Sequence, residues 1–505
     1  MLSLNRYFLF PILSVKLHKF ITTAPPLSQK VTNFVAMILP SEFERQTREI
    51  FGAQRYNDFT HALAEQPPVS IRWNPLKTTL DRNEERVPVP WCRTGIYLNE
   101  RPNFTFDPLL HAGCYYVQEA ASMFLDLVLQ QYATKPLLML DICAAPGGKS
   151  TVARTALPKG SLLFCNEPIR NRAQILSENI QKFGATDVIV TNNYPADYRK
   201  AGLMFDLILC DVPCSGEGMF RKDEGAIGEW SPQNIENCQR LQREIVSDAW
   251  ECLAENGLLI YSTCTFNTRE NEENVRWICA EKNAKVLPVQ TEKDWNITGS
   301  LLPSFDKPVY RFIPGLTKGE GLFMAVIQKT EGTAELHEGK KGEKRLRNNQ
   351  KRKEKKGGLT SDNLPLLHKE EFTVQSKDDA IYAIPTWWID DYEKATERLK
   401  VIHAGVRVGT IKGKDLIPDQ SLALSCTLDR HAFTNVEIGY DDAISYLRKE
   451  AITLPADTPH GIVLITYKGQ ALGFAKNIGN RANNLYPQEW RIKSTHIPNQ
   501  KTIII

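Results

Sequence analysis

The sequence predicts an α/β protein built on a doubly wound parallel sheet. Between residues 136 and 263, apolar segments of strand length alternate with segments of helical period, at spacings that suit right-handed crossovers. The segment ends that would form the carboxyl edge of the sheet carry glycines, acids and cysteines, and ligands of such sheets sit beyond that edge. At 505 residues the chain has room for roughly three or four domains of about 100–200 residues each.

Taken in order, residues 1–36 are basic and free of acids, and their apolar stretch Tyr7 to Val15 is interrupted by Pro11. Neither the leading charge nor the small-residue cleavage site of a secretory signal is clean there, so that against a targeting peptide we expect an extension upstream of a working start at Met37. Pro40-Ser41-Glu42-Phe43-Glu44 predicts an amphipathic helix capped by Ser41, with Glu44 as its capping-box partner. Val69 to Lys77 alternates like a half-buried strand and puts Arg72, Asn74 and Lys77 near a turn, either against nucleic acid or on a solvated edge. Tyr115 to Met123 then leads into an apolar helix ending near Tyr132.

The central stretch runs from an apolar strand (Pro136 to Leu140) through Asp141-Ile142-Cys143-Ala144-Ala145-Pro146-Gly147-Gly148-Lys149-Ser150 into a helix (Thr151 to Ala156). Two glycines there let the backbone approach a ligand at a helix N-terminus. The pattern is neither the dinucleotide G-x-G-x-x-G nor the phosphate loop G-x-x-x-x-G-K-[ST]. Strands follow at Ser161 to Asn166, Val188 to Thr191, Phe205 to Asp211 and Gly257 to Tyr261, with a helix from Ile169 to Phe183 stopped by Gly184. Glu167, at the end of the second strand, is placed to receive two ribose hydroxyls. Cys214 follows Asp211-Val212-Pro213, and Cys264 follows Ser262-Thr263, so two thiols stand at neighbouring ligand-facing ends. Cys143, Cys165 and Cys210 read as packing residues.

Composition narrows the classes. Hydrophobic residues make up 42% and charged residues 24%, and the apolar runs fall short of the roughly 20 residues of a spanning helix. The eleven cysteines show no metal-ligand spacing, so we expect no metal and reduced thiols in a cytoplasmic protein. A net charge of +3 leaves any basic surface to local clustering.

Asp141-Ile142-Cys143-Ala144-Ala145-Pro146-Gly147-Gly148-Lys149, Asp211-Val212-Pro213-Cys214-Ser215-Gly216 and Ser262-Thr263-Cys264-Thr265 together resemble the Sun-type RNA cytosine-C5 methyltransferases over residues 40 to 330. Tyr116 to Ser122 and Gly218 to Asp223 resemble further segments of that family and point to its RsmF branch. The resemblance implies a Rossmann-like methyltransferase core that takes its methyl from S-adenosylmethionine. Residues 143 to 149 (Cys143, Ala144, Ala145, Pro146, Gly147, Gly148, Lys149) would line the methionine end, with Glu167 on the ribose and Asp211 near the reacting centre. Where some relatives carry an acid after the third strand, this chain has Asn192-Asn193-Tyr194, and Asn193 is the candidate for adenine.

Carbon 5 of cytosine is a poor nucleophile, and thiolate addition at carbon 6 makes it enamine-like. By resemblance Cys264 is the attacking thiol and Cys214 assists breakdown of the adduct; spacing alone does not order them. A free thiol of pKa about 8.5 needs a nearby cation or helix N-terminus to ionise near neutrality, and Lys149 and Lys222 are candidates. Asp211 is placed to hydrogen-bond the base edge, which must be unstacked to enter the pocket.

Beyond the strand Gly321 to Ile327, ten of the seventeen residues Lys340 to Lys356 are Lys or Arg, a basic linker suited to phosphates or to a solvated spacer. Short apolar runs at 399–402, 406–411, 462–467 and 469–475 predict a β-rich module. Asn477 to Trp490 resembles the end of the PUA-like RNA-binding domain of RsmF-type enzymes. The expected division is an extension at 1–36, a small N-terminal α+β RNA-binding domain at 37–110, the methyltransferase domain at 111–330, the flexible linker at 331–375, an intermediate segment at 376–430 and the PUA-like domain at 431–505. The expected partners are RNA, ribosomal RNA first, and a ribosomal subunit or assembly intermediate. No membrane is expected, and the default is a monomer.

Overall fold

Strands buried on both faces read as continuous apolar runs, and the central strands of the computed structural model alternate their contacts accordingly. The structure describes residues 38–79, 86–330 and 364–505, apart from 414, 495 and 499. The expectations for residues 1–36 and for the basic run 340–356 lie outside the described residues.

The N-terminal part holds α1 (Ser41–Leu63) and the strands β1 (Val69–Trp73), β2 (Val87–Pro88), β3 (Gly95–Leu98) and β4 (Tyr115–Val117), ordered β2-β3-β1-β4 in an antiparallel sheet. The expected cap is not formed. Pro40 is the N-cap, Ser41 is already helical, and the Glu44 carboxylate accepts from the Tyr56 hydroxyl at 3.3 Å instead of reaching back to the first turn.

The next segment is α2 (Phe124–Tyr132), β5 (Leu138–Asp141), α3 (Gly148–Ala156), β6 (Leu162–Asn166), α4 (Arg170–Phe183), β7 (Val188–Thr191), α5 (Pro195–Ala201), β8 (Phe205–Asp211), α6 (Pro232–Glu251), β9 (Leu253–Thr263), α7 (Glu272–Glu281), β10 (Ala284–Leu287), β11 (Tyr310–Phe312) and β12 (Leu322–Lys329). These strands form the order β10-β12-β9-β8-β5-β6-β7, parallel from β9 to β7, with β12 antiparallel to its neighbours and β11 paired to β12. Leu138, Leu140, Phe164, Ile208 and Cys210 pack on one face with Val246 and Ala249 of α6. Met139, Leu163, Cys165, Leu207 and Leu209 pack on the other with Leu125 of α2 and Val152 of α3. The chain leaves β5 for β6 on one side while β8 lies on the other, so the crevice opens beyond β5 and β8.

The C-terminal part closes on the rest of the molecule. Strands β13 (Phe372–Lys377), β14 (Ala380–Pro385), β16 (Val406–Lys412) and β17 (Asp415–Pro418) form one antiparallel sheet, while β15 (Val401–Ala404) leaves it to pair antiparallel with β7, as a further strand of the central sheet. Residues 364–375, expected in the linker, are packed instead: Leu364, Leu366 and Phe372 are buried because they are apolar and face Val406 and Val408. The last sheet is β18 (Thr434–Glu437), β19 (Gly461–Tyr467), β20 (Gln470–Asn477) and β21 (Ala482–Asn484). It shares a core with the N-terminal sheet, where Ile71, Trp73 and Phe106 meet Ile444, Tyr446 and Leu472.

Neither reading of Arg72, Asn74 and Lys77 holds. Arg72 is 1% exposed and donates to Gln118, Thr151 and Thr155, Asn74 donates to the carbonyls of Gly113 and Phe183, and Lys77 donates to those of Ala112 and Lys182. All three tie the N-terminal part to the central domain. Burial holds Lys77 down at about 8.

Candidate active site

The loop after β5 turns on Gly147, whose φ of +111° is a conformation that side chains resist. Helix α4 holds the loop from the side, with Arg172 donating to the Ala145 carbonyl at 3.2 Å and Asn179 to that of Pro146 at 2.8 Å. Asn166 at the end of β6 donates to the carbonyls of Ile142 and Asn193, so the ends of β5, β6 and β7 are linked. Asp141 accepts from the Ser150 hydroxyl on one oxygen at 2.7 Å, while its other oxygen is buried without a partner; burial raises the carboxyl to about 7. Glu167 is buried at the end of β6, accepts from the Ile169 amide at 2.9 Å and lies 3.4 Å from Arg172. Burial raises it too, against the pull of Arg172.

Asn193 stands at the end of β7, and both ends of its amide are engaged by the Lys400 backbone beside β15. Its side chain therefore joins the central and C-terminal parts.

Across the crevice the two thiols meet, with Cys214 Sγ 3.3 Å from Cys264 Sγ, and both residues are partly exposed. Sharing a hydrogen with Cys264, and then burial, push the Cys214 thiol well up. Asp211 accepts from Lys149 at 2.9 Å and from the Ser262 hydroxyl at 2.6 Å. Lys149 is also in electrostatic reach of Cys264; burial presses its ammonium down, and Asp211, together with Cys264 and Glu119, raises it above the ordinary lysine value. Lys222, the other candidate cation, lies 3.9 Å from Glu320.

Two carboxylates that sequence reasoning missed lock the thiol loops together. Glu217, 2% exposed and three residues after Cys214, accepts from the Thr265 hydroxyl and from the amides of Phe266 and Asn267 on one oxygen. Its other oxygen accepts from Trp230 and the Asn267 side chain. Glu270, in the loop after β9, reaches back to accept from the Ser215 amide at 3.0 Å, from Gln242 at 2.7 Å and from Asn267 at 2.8 Å. Burial, then the charge of Glu217, raise Glu270 to about 7. Gly218 completes the contact by donating its amide to the Cys264 carbonyl, where a Cβ would lie only 2.3 Å from that oxygen. The only trace in the sequence was an acid inside the Pro-Cys-Ser-Gly-Glu-Gly run; nothing near Glu270 announced its partner 55 residues away.

A glycine loop at the switch point of a Rossmann-like sheet, with a buried acid at the next strand end, defines an S-adenosylmethionine-dependent methyltransferase. The polar groups suit that cofactor, because the unpartnered Asp141 oxygen is an acceptor suited to an ammonium and Glu167 is a strand-end acceptor suited to ribose hydroxyls. Three family models match the chain in order: "N-terminal domain of 16S rRNA methyltransferase RsmF" at 39–120, "16S rRNA methyltransferase RsmB/F" at 127–328 and "Methyltransferase RsmF PUA domain" at 433–492. The chain belongs to the RsmF-like branch of the Sun-type methyltransferase family. It is 29% identical to the ribosomal RNA small subunit methyltransferase F of Cronobacter sakazakii over 91% of this chain and 98% of that one. It is also 29% identical to the protein of the same name from Escherichia coli, over 89% and 96%. Among solved structures, a methyltransferase homolog from Pyrococcus horikoshii is similar at 26% identity and TM-score 0.50, covering 57% of this chain and 95% of that one.

Proposed function

We propose that the protein methylates carbon 5 of a cytosine in small-subunit ribosomal RNA through a covalent cysteine adduct. The observation that carries this is the pair of thiols 3.3 Å apart at two adjoining strand ends of a methyltransferase crevice. Small-subunit RNA is favoured over transfer RNA because the relatives matched over nearly their full length are named for it. S-adenosylmethionine, when bound, supplies an electrophilic methyl group on a sulfonium sulfur.

Cys264 is the attacking thiol by likeness to the family; the Lys149 ammonium is in electrostatic reach of it, and Cys214 lies beside it as the second thiol. Its sulfur bonds to carbon 6 of the cytosine, the electrons of the 5,6 double bond move toward carbon 5, and that carbon becomes nucleophilic. Asp211, oriented by Lys149 and Ser262, hydrogen-bonds the base edge as charge develops there. Once carbon 5 carries the methyl, loss of its proton restores the double bond and expels the Cys264 thiolate, a step that Cys214 assists. The β-rich C-terminal sheet and the N-terminal sheet, joined through one core, would hold the RNA while the target base is unstacked.

Methyl transfer from labelled donor to unmodified, size-fractionated RNA tests this. Cys264→Ala is expected to abolish transfer, and Cys214→Ala to leave a protein–RNA adduct stable to denaturing gels. Label in transfer RNA would overturn the substrate, and full transfer by Cys264→Ala would overturn the chemistry.

A further inference from the structure

Arg72 fixes the orientation of a neighbouring amide. Its Nε donates to Gln118 Oε1 at 3.0 Å, and its two terminal nitrogens are held by Thr151 and Thr155 of α3 at 2.6 and 3.2 Å. A guanidinium has only donors, so the oxygen of Gln118 must face it and the NH2 must turn away. That Nε2 has no hydrogen-bond partner, although Gln118 is only 7% exposed. A buried NH2 left unpaired is costly, and its retention calls for an acceptor that arrives with a ligand.

The NH2 is aimed at the start of α3, where a Cβ added to Gly148 would lie 3.5 Å from it. This nine-residue helix makes its first backbone bond from Thr151 to Gly147, so the amides of Gly148, Lys149 and Ser150 have no acceptor within it. Backbone donors, the positive end of the helix and a buried side-chain donor together favour an anion. The donor molecule has one anionic group, the α-carboxylate of its methionine end, whereas Asp141, Glu167 and Asp211 place acid groups elsewhere in the crevice.

We propose that Gln118, contributed from outside the central sheet, binds the carboxylate of the methyl donor over the N-terminus of α3, held in register by Arg72. The proposal rests on the loop after β5 being the donor site. It makes the docking of the N-terminal part a condition of tight donor binding, since Arg72 lies on β1 and Gln118 directly follows β4.

Isothermal titration of the full-length protein with S-adenosylhomocysteine and with 5′-methylthioadenosine, which lacks the amino-acid end, tests this without turnover. Gln118→Leu should weaken S-adenosylhomocysteine by about ten- to a hundredfold, as for a lost hydrogen bond to a charged group, and leave 5′-methylthioadenosine unchanged. Gln118→Glu keeps the shape and an oxygen for Arg72, guards against misfolding of the leucine variant, and should weaken S-adenosylhomocysteine further by opposing two carboxylates. Equal affinity of wild type and Gln118→Leu for S-adenosylhomocysteine, or an equal loss for both ligands, would overturn the proposal. Failure of the wild type to bind either ligand would instead overturn the donor site itself.

Discussion

The two walls of the crevice are built on opposite terms. On the thiol side, each loop is gripped by a carboxylate from the other: Glu217 accepts five hydrogen bonds and Glu270 three, with their oxygens all engaged. On the side of the glycine loop, where we propose the donor binds, an Asp141 oxygen and the Gln118 NH2 are buried and unpaired. The covalent step proposed for the thiols needs fixed mutual geometry before substrate arrives, and a satisfied buried network supplies it. A binding loop must keep some polar capacity unspent for its ligand, at a cost in stability. The thiol wall should therefore respond to substitution by losing stability, and the donor wall by losing affinity.

The largest effect is expected at Glu217. Glu217→Ala leaves the Phe266 and Asn267 amides and the Trp230 indole buried without an acceptor, at about 1–3 kcal/mol for each unsatisfied group. Unfolding in urea should show a loss of about 3 kcal/mol or more, with methyl transfer reduced beyond what the unfolded fraction explains. An unchanged midpoint would break the contrast between the walls.

Glu270→Gln is milder, because one oxygen remains for Ser215 and Gln242 while the new NH2 opposes that of Asn267; we expect a loss of about 1–2 kcal/mol. It also carries a pH signature. The folded protein holds the Glu270 proton more tightly than the unfolded chain, from an ordinary 4.5 up to about 7. Its contribution to stability is thus full below about 4.5 and is lost as pH rises through about 7. The slope of stability between those values should be shallower in Glu270→Gln, and an identical slope would remove Glu270 from the account.

The smallest change in stability is expected at Asp141, where the readout is affinity. The carboxyl titrates at about 7, and a donor ammonium beside it favours the ionised form. Affinity for S-adenosylhomocysteine should rise with pH through about 7, and Asp141→Asn should flatten that rise while leaving the urea midpoint within about 1 kcal/mol, its Ser150 hydrogen bond being retained. A steep rise retained in Asp141→Asn would assign the titration elsewhere.

The parallel strands and the loops between them were legible because each announces itself locally. Val188–Thr191 and Phe205–Asp211 are apolar over the lengths the strands occupy, and Gly184 ends α4 with a positive φ of 85°. Ser41 misled because a serine before a helix and an acid three residues on fit a cap locally, yet Tyr56, twelve residues beyond the acid, took it. Arg72, Asn74 and Lys77 misled for a related reason. Cations and amides on an alternating strand look solvated until a second domain covers them and supplies carbonyl and side-chain acceptors.

By itself the sequence determined the doubly wound sheet, the crevice at its carboxyl edge, the glycine loop after β5 and the two strand-end cysteines, since hydrophobic period and turn residues report what each segment does with its own backbone. Tertiary structure alone decided which polar groups meet. It paired the thiols at 3.3 Å, crossed Glu217 and Glu270 between loops about 50 residues apart, turned Gln118 toward Gly148 and added β15 to the central sheet. The partner of a buried polar side chain is set by where distant segments cross, and no local pattern encodes that crossing.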